Sequence, residues 1–352
     1  MTVLYSRTCR TMRQTLLVSA LLAVTSAVNA IEITDMTGRR VMIPAPIERV
    51  FPAAPPVVPL LYALNPNKLM AIHFAFRPDD FNYLVPSMRD AMIIGRYTGE
   101  GPPPRLDQIM QAKPQLTIGW ELPFIDRQRV LDTFQWLQTP GLLLHLDSLT
   151  DYPAALELVG NAIGETARAQ QLSRYIRDAI TRVERAVADI PAAERQRVYF
   201  AEGTNGLMTE CADSFHAEVI QLAGGVNVMD CKTKMMCGHQ PVKLADIQAL
   251  DPDVILTDQP DFAQHVKTDA AWQQLRAVRN NRVLLAPNTP FNWLGRPPSF
   301  MRAIAMQWLA HELYPTHFNW NAQREIPAFY ALFLGIKPEQ VNTAAILSQS
   351  AH

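Results

Sequence analysis

The chain has 352 residues, 48% of them apolar, with 32 Lys and Arg set against 33 Asp and Glu for a net charge of -1. That balance leaves no basic run or interleaved aromatic stripe for nucleic acid, and the apolar content excludes a disordered chain. A mature chain of about 320 residues exceeds one usual hydrophobic core, so two domains are expected.

Residues 1–30 read as an address. Arg7, Arg10 and Arg13 form a basic start, residues 16–27 an apolar core too short to span a bilayer, and Val28-Asn29-Ala30 the small residues of a cleavage site. This is the layout of a secretory signal peptide. Cys9 lies inside the basic start, so no cysteine stands at the cleavage point to take a lipid, and a soluble, exported protein of a periplasm is expected. Three cysteines remain in the mature chain, Cys211, Cys231 and Cys237. An oxidising compartment favours one disulfide with one thiol left over. The sequence does not choose the pairing; the short loop closed by Cys231 and Cys237 is the favoured one.

From Ile33 to about Gly119, short apolar runs alternate with turns rich in Pro and Gly. Residues 49–51 read as a strand, 57–64 as a helix, 69–74 as a strand, 106–112 as a helix, 115–119 as a buried strand, 127–137 as a helix and 142–146 as a strand. Strands alternating with helices predict βαβ units around a parallel sheet. Residues 166–190 then run without Gly or Pro. Leu172, Ile176, Ala179, Ile180, Val183, Val187 and Ile190 fall at steps of three and four along one face, so this stretch predicts a helix roughly 37 Å long, a candidate strut between two lobes. Pro191 stops it. The alternation restarts with strands at 197–201, 253–257 and 282–286, helices at 217–223, 244–250 and 272–278, and a closing helix at 298–313.

Four stretches, in order and spacing, carry a resemblance to a known family: 34–41 (TDMTGRRV) with Pro44 and Arg49-Val50; 106–118 (LDQIMQAKPQLTI); 218–227 (EVIQLAGGVN); and 244–256 (LADIQALDPDVIL) followed by Trp272, Leu275, Val278, Arg282 and Val283. Over essentially the whole mature chain, the sequence resembles the substrate-binding proteins of bacterial ABC importers for iron-siderophore, haem, cobalamin and related metal complexes. The resemblance implies an α/β fold of two Rossmann-like three-layer lobes joined by one long backbone helix, the class III solute-binding architecture. It divides the chain into the signal peptide at 1–30, a first lobe at 31–164, a linking helix at 165–191 and a second lobe at 192–352. It further implies a monomer, a small metal complex held in the inter-lobe cleft, and partners in an inner-membrane permease and its ATPase. The family docks through an acidic residue on each lobe; Glu218 matches the second-lobe position and Asp107 the first.

Ligands of doubly wound sheets lie beyond the carboxyl ends of the strands. The loop at 287–299 (PNTPFNWLGRPPS) concentrates Phe291, Trp293 and Arg296, which suit an anionic or catecholate-bearing chelate by stacking and charge-assisted hydrogen bonds. Arg77, Arg96, Tyr97, Trp120 and His239 complete the expected contacts. Cys231, Cys237 and His239, with Asp230, Met235 and Met236, offer a rival set of copper, zinc or nickel ligands. His73, His145, His216 and His265 are candidates for a bare zinc or manganese ion. No intrinsic cofactor is expected, and a transition metal, iron first, is expected in the ligand. The chain shows no G-x-S-x-G elbow, P-loop or H-E-x-x-H, and Gly224-Gly225 is too short for a dinucleotide fingerprint, so catalysis is not expected. Oxyanion binding and an exported sensing domain without a transporter are the other readings.

Overall fold

A computed structural model describes residues 29–95, 106–122, 124–233 and 238–348. The expected signal peptide lies almost wholly outside the described residues, as do Arg96, Tyr97, Met235, Met236 and Cys237. Among the described residues, no helix is long and apolar enough to cross a membrane.

The first lobe opens on an antiparallel hairpin, β1 (Asn29–Thr34) and β2 (Arg40–Ala45). Then follow β3 (Val50–Pro52), α1 (Val57–Leu64), β4 (Ala71–Ile72), β5 (Met92–Ile93), α2 (Leu106–Gln111), β6 (Leu116–Trp120), α3 (Arg127–Leu137), β7 (Gly141–Leu144) and α4 (Tyr152–Ile163). The strands run parallel in the spatial order β5-β4-β3-β6-β7, with β4 joined to β3 through the Val50 to Leu69 bridge. Buried on both faces, β6 and β7 read as near-continuous apolar runs, as parallel strands under helices must.

Helix α5 (Thr166–Val187) is the strut that the sequence periodicity predicts, 22 residues and roughly 33 Å long. Ala169, Leu172, Ile176, Ala179, Ile180, Val183 and Val187 form its buried stripe. Each buried Leu, Ile or Val there contributes about 1.5–3 kcal/mol. Its first turns lie along α4, where a Cβ on Gly160 would stand 2.3 Å from the Ala169 Cβ, so glycine alone permits that approach.

The second lobe holds β8 (Arg197–Ala201), β9 (Met208–Thr209), α6 (Glu218–Leu222), β10 (Val226–Asn227), β11 (Gln240–Pro241), α7 (Leu244–Leu250), β12 (Val254–Thr257), α8 (Pro260–His265), α9 (Arg276–Arg279), β13 (Val283–Leu285) and α10 (Arg302–Leu313). Its parallel sheet has the order β10-β8-β12-β13. Helix α10 packs on both α5 and α6 and is buried around nearly its whole surface.

Two further helices follow where a closing helix at 313 is expected: α11 (Ala322–Leu334) and α12 (Thr343–Ser348). They return to the first lobe. Tyr62 of α1 donates to the Leu334 carbonyl at 2.9 Å, Tyr83 meets Tyr330 edge-on at 5.4 Å, and Arg168 of α5 donates to the Leu332 carbonyl. The segment assigned by sequence to the second lobe therefore straps the first, and one apolar core runs through both lobes. Two satellite clusters cover the outer faces of the two sheets.

The one disulfide among the described residues joins Cys211 to Cys231 across 20 positions. This corrects the favoured pairing of Cys231 with Cys237. The physical reason is the sheet: β8 and β10 are neighbours, and the chain leaving each brings the two cysteines together, with Ala212 N donating to Met229 O at 2.9 Å beside the bridge.

Candidate functional site: the inter-lobe cleft

The carboxyl ends of the two sheets face each other along the seam between the lobes. On the second-lobe side, β8 ends at Ala201, and a turn through Gly203 and Gly206, both at positive φ, folds the chain back so that Met208 pairs with Glu202. Strand β9 then pairs antiparallel with β11, which brings the loop before Gln240 onto Glu210. A Cβ on Gly238 would overlap the Glu210 carboxylate at 1.8 Å, so this close approach needs glycine. His239 follows at φ 58, a left-handed conformation that a non-glycine residue adopts only under tertiary constraint. Its backbone N donates to Glu210 Oε1 at 3.2 Å, and 47% of its side chain is exposed.

Arg296 sits between two buried glutamates. Its Nε donates to Glu202 Oε1 at 2.6 Å, its Nη2 to Glu202 Oε2 at 3.2 Å, and Nη2 also pairs with Glu210 Oε1. The Glu202 and Glu210 side chains are 1% and 0% exposed. Burial pushes the Glu202 carboxyl up to about 8, against the pull of Arg296 and with the help of the nearby Glu210 and Asp258. One guanidinium cannot neutralise two buried carboxylates, and a retained proton is the cheapest relief. Burial, and then the Arg296 charge, lowers the His239 imidazole, so this ring is neutral near pH 7. Asp258, at the end of β12, accepts from the neutral amides of Gln259 at 2.7 Å and Asn292 at 2.8 Å.

Trp120, half-buried at the end of β6, crosses the seam. Its Nε1 donates to Asp147 at 2.8 Å and its ring meets Phe215 of the second lobe edge-on at 5.7 Å. His216, its ring tilted against Phe215, is driven down to about 3 by burial, and its Nδ1 donates to the Gly295 carbonyl at 2.9 Å. Two polar clamps flank this floor. At one, the buried Arg302 donates to Leu146 O at 3.2 Å, Asp147 O at 2.7 Å and Glu218 Oε2 at 2.6 Å, while Glu218 Oε2 accepts from Leu149 N at 2.9 Å. At the other, Arg77 is paired with Asp80 at 2.8 Å and donates across the seam to Asn288 Oδ1 and O, each at 2.7 Å, and Thr289 donates to Asp80 at 2.7 Å.

Several expected contacts are thereby corrected. Phe291 and Trp293 do not present rings to a ligand: Phe291 lies edge-on among Tyr62, Phe76 and Phe300, and Trp293 is fully buried against Trp308. Apolar burial claims both rings. Arg296 is no simple anion clamp, because two glutamates already share it. Arg77 is half-exposed but serves the seam, its guanidinium holding Asp80 and Asn288. Cys231 spends its sulfur in the disulfide, so the ligand set of Cys231, Cys237 and His239 does not form there. Glu218, expected on the surface for docking, has a side chain 15% exposed and engaged by Arg302 and the Leu149 amide; Asp107 on α2 is exposed.

Trp120 lies at the seam against Phe215, and His239 stands half-exposed beside Glu202 and Glu210 of its own lobe. The remaining histidines disperse: His73 is buried against the Gly95 and Pro52 carbonyls, His145 lies against Met36 O, and His265 pairs with Asp269 at 3.1 Å on the surface. Among the described residues, no group of three or more His, Cys, Asp and Glu is placed to hold a metal ion. Glu202, Glu210 and Asp258 escape the sequence reading as individual residues. The signal available was positional, since each acidic side chain stands at or near the end of a predicted strand or its return turn.

The periplasmic binding protein family model matches residues 138–290. An ABC transporter solute binding protein from Sulfurospirillum deleyianum DSM 6946 superposes with a TM-score of 0.82 at 32% identity, over 87% of this chain and 95% of that one. The chain belongs to the ABC-transporter solute-binding proteins. Its two lobes on one long helix are the helical-backbone architecture of that family, whose members are transport components rather than enzymes. Among curated relatives, the molybdate-binding protein MolA of Haemophilus influenzae is 29% identical over 135 residues, 38% of this chain and 37% of that protein. The haem uptake protein IsdE of Staphylococcus aureus is 23% identical over 167 residues, 45% of this chain and 56% of that protein. The chain thus spans about two fifths to just over half the length of the curated relatives it matches.

Proposed function

We propose that this solute-binding protein works in the periplasm, captures a small metal complex between its lobes, and delivers it to an inner-membrane permease driven by an ATPase. The observation that supports this most is the seam itself. Beyond the strand ends, Trp120 of the first lobe packs on Phe215 of the second, and Arg296 and His239 stand beside the buried Glu202 and Glu210. A site so pre-formed loses little ordering free energy on binding. The strap of α11 over α1 and the two polar clamps support small lobe movements rather than wide closure. In this reading Asp107 is the first-lobe contact for the permease, and Glu218 is the peg that joins the lobes.

Similarity to MolA favours an oxyanion as the second reading. Native mass spectrometry with elemental analysis, on protein purified from the periplasm without chelators, separates the two. A bound mass of several hundred daltons containing iron, nickel or cobalt supports the metal complex. Bound molybdenum or tungsten supports the oxyanion. A bare zinc, manganese or nickel ion contradicts both.

A further inference from the structure

Outside the inter-lobe seam, the turn from α10 into α11 and the last helix, α12, line an open cavity of about 340 Å³, a size that takes one small molecule. Trp308 of α10, Trp320 just ahead of α11 and Leu347 of α12 give it apolar walls. Its polar groups are of two kinds. The first are donors. Asn321 caps α11 by accepting from Arg324 N at its side chain and from Arg324 N and Glu325 N at its carbonyl. The Ala322 and Gln323 amides, at the positive end of a 13-residue helix, are left without an acceptor among the described residues. Trp320 adds an independent sign of a missing acceptor: its side chain is buried, and its indole Nε1–H has no hydrogen-bond partner. A buried indole N–H ordinarily finds one. The second kind are acceptors. His311 donates from Nδ1 to the Phe318 carbonyl at 2.9 Å, so the neutral ring keeps Nε2 as an acceptor. Glu312 gives Arg282 its backbone carbonyl at 2.7 Å and brings its carboxylate to the cavity unspent.

We infer that this cavity is a second binding site, for a small zwitterion of the amino-acid type with an apolar side chain. The carboxylate of such a ligand meets the α11 amides and the Trp320 indole N–H, its ammonium meets Glu312 and His311, and its side chain lies against Trp308 and Leu347. Neither charge alone suits the site. A bare anion meets the Glu312 carboxylate, and a bare cation meets the positive end of α11. The inference goes beyond capture between the lobes and does not depend on it, since none of these residues makes the seam contacts described above.

Three probes of similar size separate the two charges: L-phenylalanine, phenylalaninamide, which lacks the carboxylate, and 3-phenylpropanoate, which lacks the ammonium. Calorimetric titration of the full chain is expected to show saturable binding of phenylalanine, with each analogue at least tenfold weaker. Ala322→Pro removes one donor at the first helical position, where proline is tolerated, and Asn321 before it is already extended. This variant is expected to bind phenylalanine at least fivefold more weakly with an unchanged unfolding midpoint. Trp320→Phe, which removes the N–H and keeps a ring, is expected to do the same, and it carries the test if A322P does not fold. Glu312→Gln should weaken phenylalanine and narrow its advantage over 3-phenylpropanoate to below threefold. Phenylalanine should slow hydrogen exchange around residues 308–323 and leave 120–122 and 292–296 unchanged. The inference is overturned if phenylalanine does not saturate at millimolar concentration, if the three probes bind alike, if A322P and W320F both leave the affinity unchanged, or if the protection falls on the seam instead.

Discussion

The two walls of the cleft are built from the same supersecondary parts and put to different uses. On the first lobe, the charged side chains at the strand ends are spent on the seam: Arg77 on Asp80 and Asn288, Asp147 on Trp120. On the second, Glu202, Glu210 and Arg296 form a buried cluster behind an exposed His239 in left-handed backbone, on a ribbon beside a disulfide. Both walls hold the lobes together, the second through Arg302 and Glu218, and the second alone adds this buried charged cluster among the described residues. The difference follows from local chain geometry. The return through Gly203 and Gly206 and the close approach at Gly238 are features of the second lobe that place three polar side chains within contact of each other.

The largest expected effect lies in the second wall. Arg296→Met strands two buried glutamates without their cation and should cost about 3–5 kcal/mol, read as a large fall in the unfolding midpoint. Adding E202Q and E210Q to that variant should restore most of the loss, and no restoration would mean that Arg296 stabilises through packing instead. Next comes the disulfide. Replacing Cys211 and Cys231 with serine should cost about 2–4 kcal/mol, from the loop of 20 positions that the bridge closes. Hydrogen exchange should then rise around residues 238–241 more than around the first-lobe strands.

The pH dependence separates the walls further. The folded value of Glu202, about 8, lies above its ordinary 4.5, so its contribution is present below pH 4.5 and is lost as pH rises through 8. His216 runs the other way. Its folded value of about 3 lies below the ordinary 6.5, so its contribution is present above 6.5 and is lost as pH falls toward 3. Thermal unfolding of Glu202→Gln should therefore gain on the unmodified protein as pH is raised from 6 to 9. An unchanged difference across that range would show that Glu202 is ionised throughout. The smallest effect belongs to the first wall: Arg77→Ala, half-exposed, should cost about 1 kcal/mol or less in denaturant unfolding.

Much of this architecture was legible in the sequence. The stripe from Leu172 to Val187 located the strut, and the buried strand at 115–119 and the helix at 57–64 match β6 and α1 closely, because 3.6-residue periodicity and unbroken apolar runs are local signals. The strap was not legible. No element is predicted beyond residue 313, and only Tyr62, Tyr83 and Arg168, 164 to 272 positions earlier, say where α11 docks. The site was half legible. An aromatic beside an arginine looks alike whether it lines a pocket or fills a core, so Phe291 and Trp293 misled. Nor can spacing reveal that Glu202 and Glu210 share one guanidinium, since that depends on the return turn through Gly203 and Gly206.

Hydrogen exchange on the protein as isolated, compared with the same protein after its solute is removed, tests the central claim most directly. The account predicts protection by the solute at residues 120–122 on the first wall and at 238–240 and 292–296 on the second, with little change along α5. Protection confined to one lobe, or to the far face of α10 and the chain that follows it, would contradict capture between the lobes.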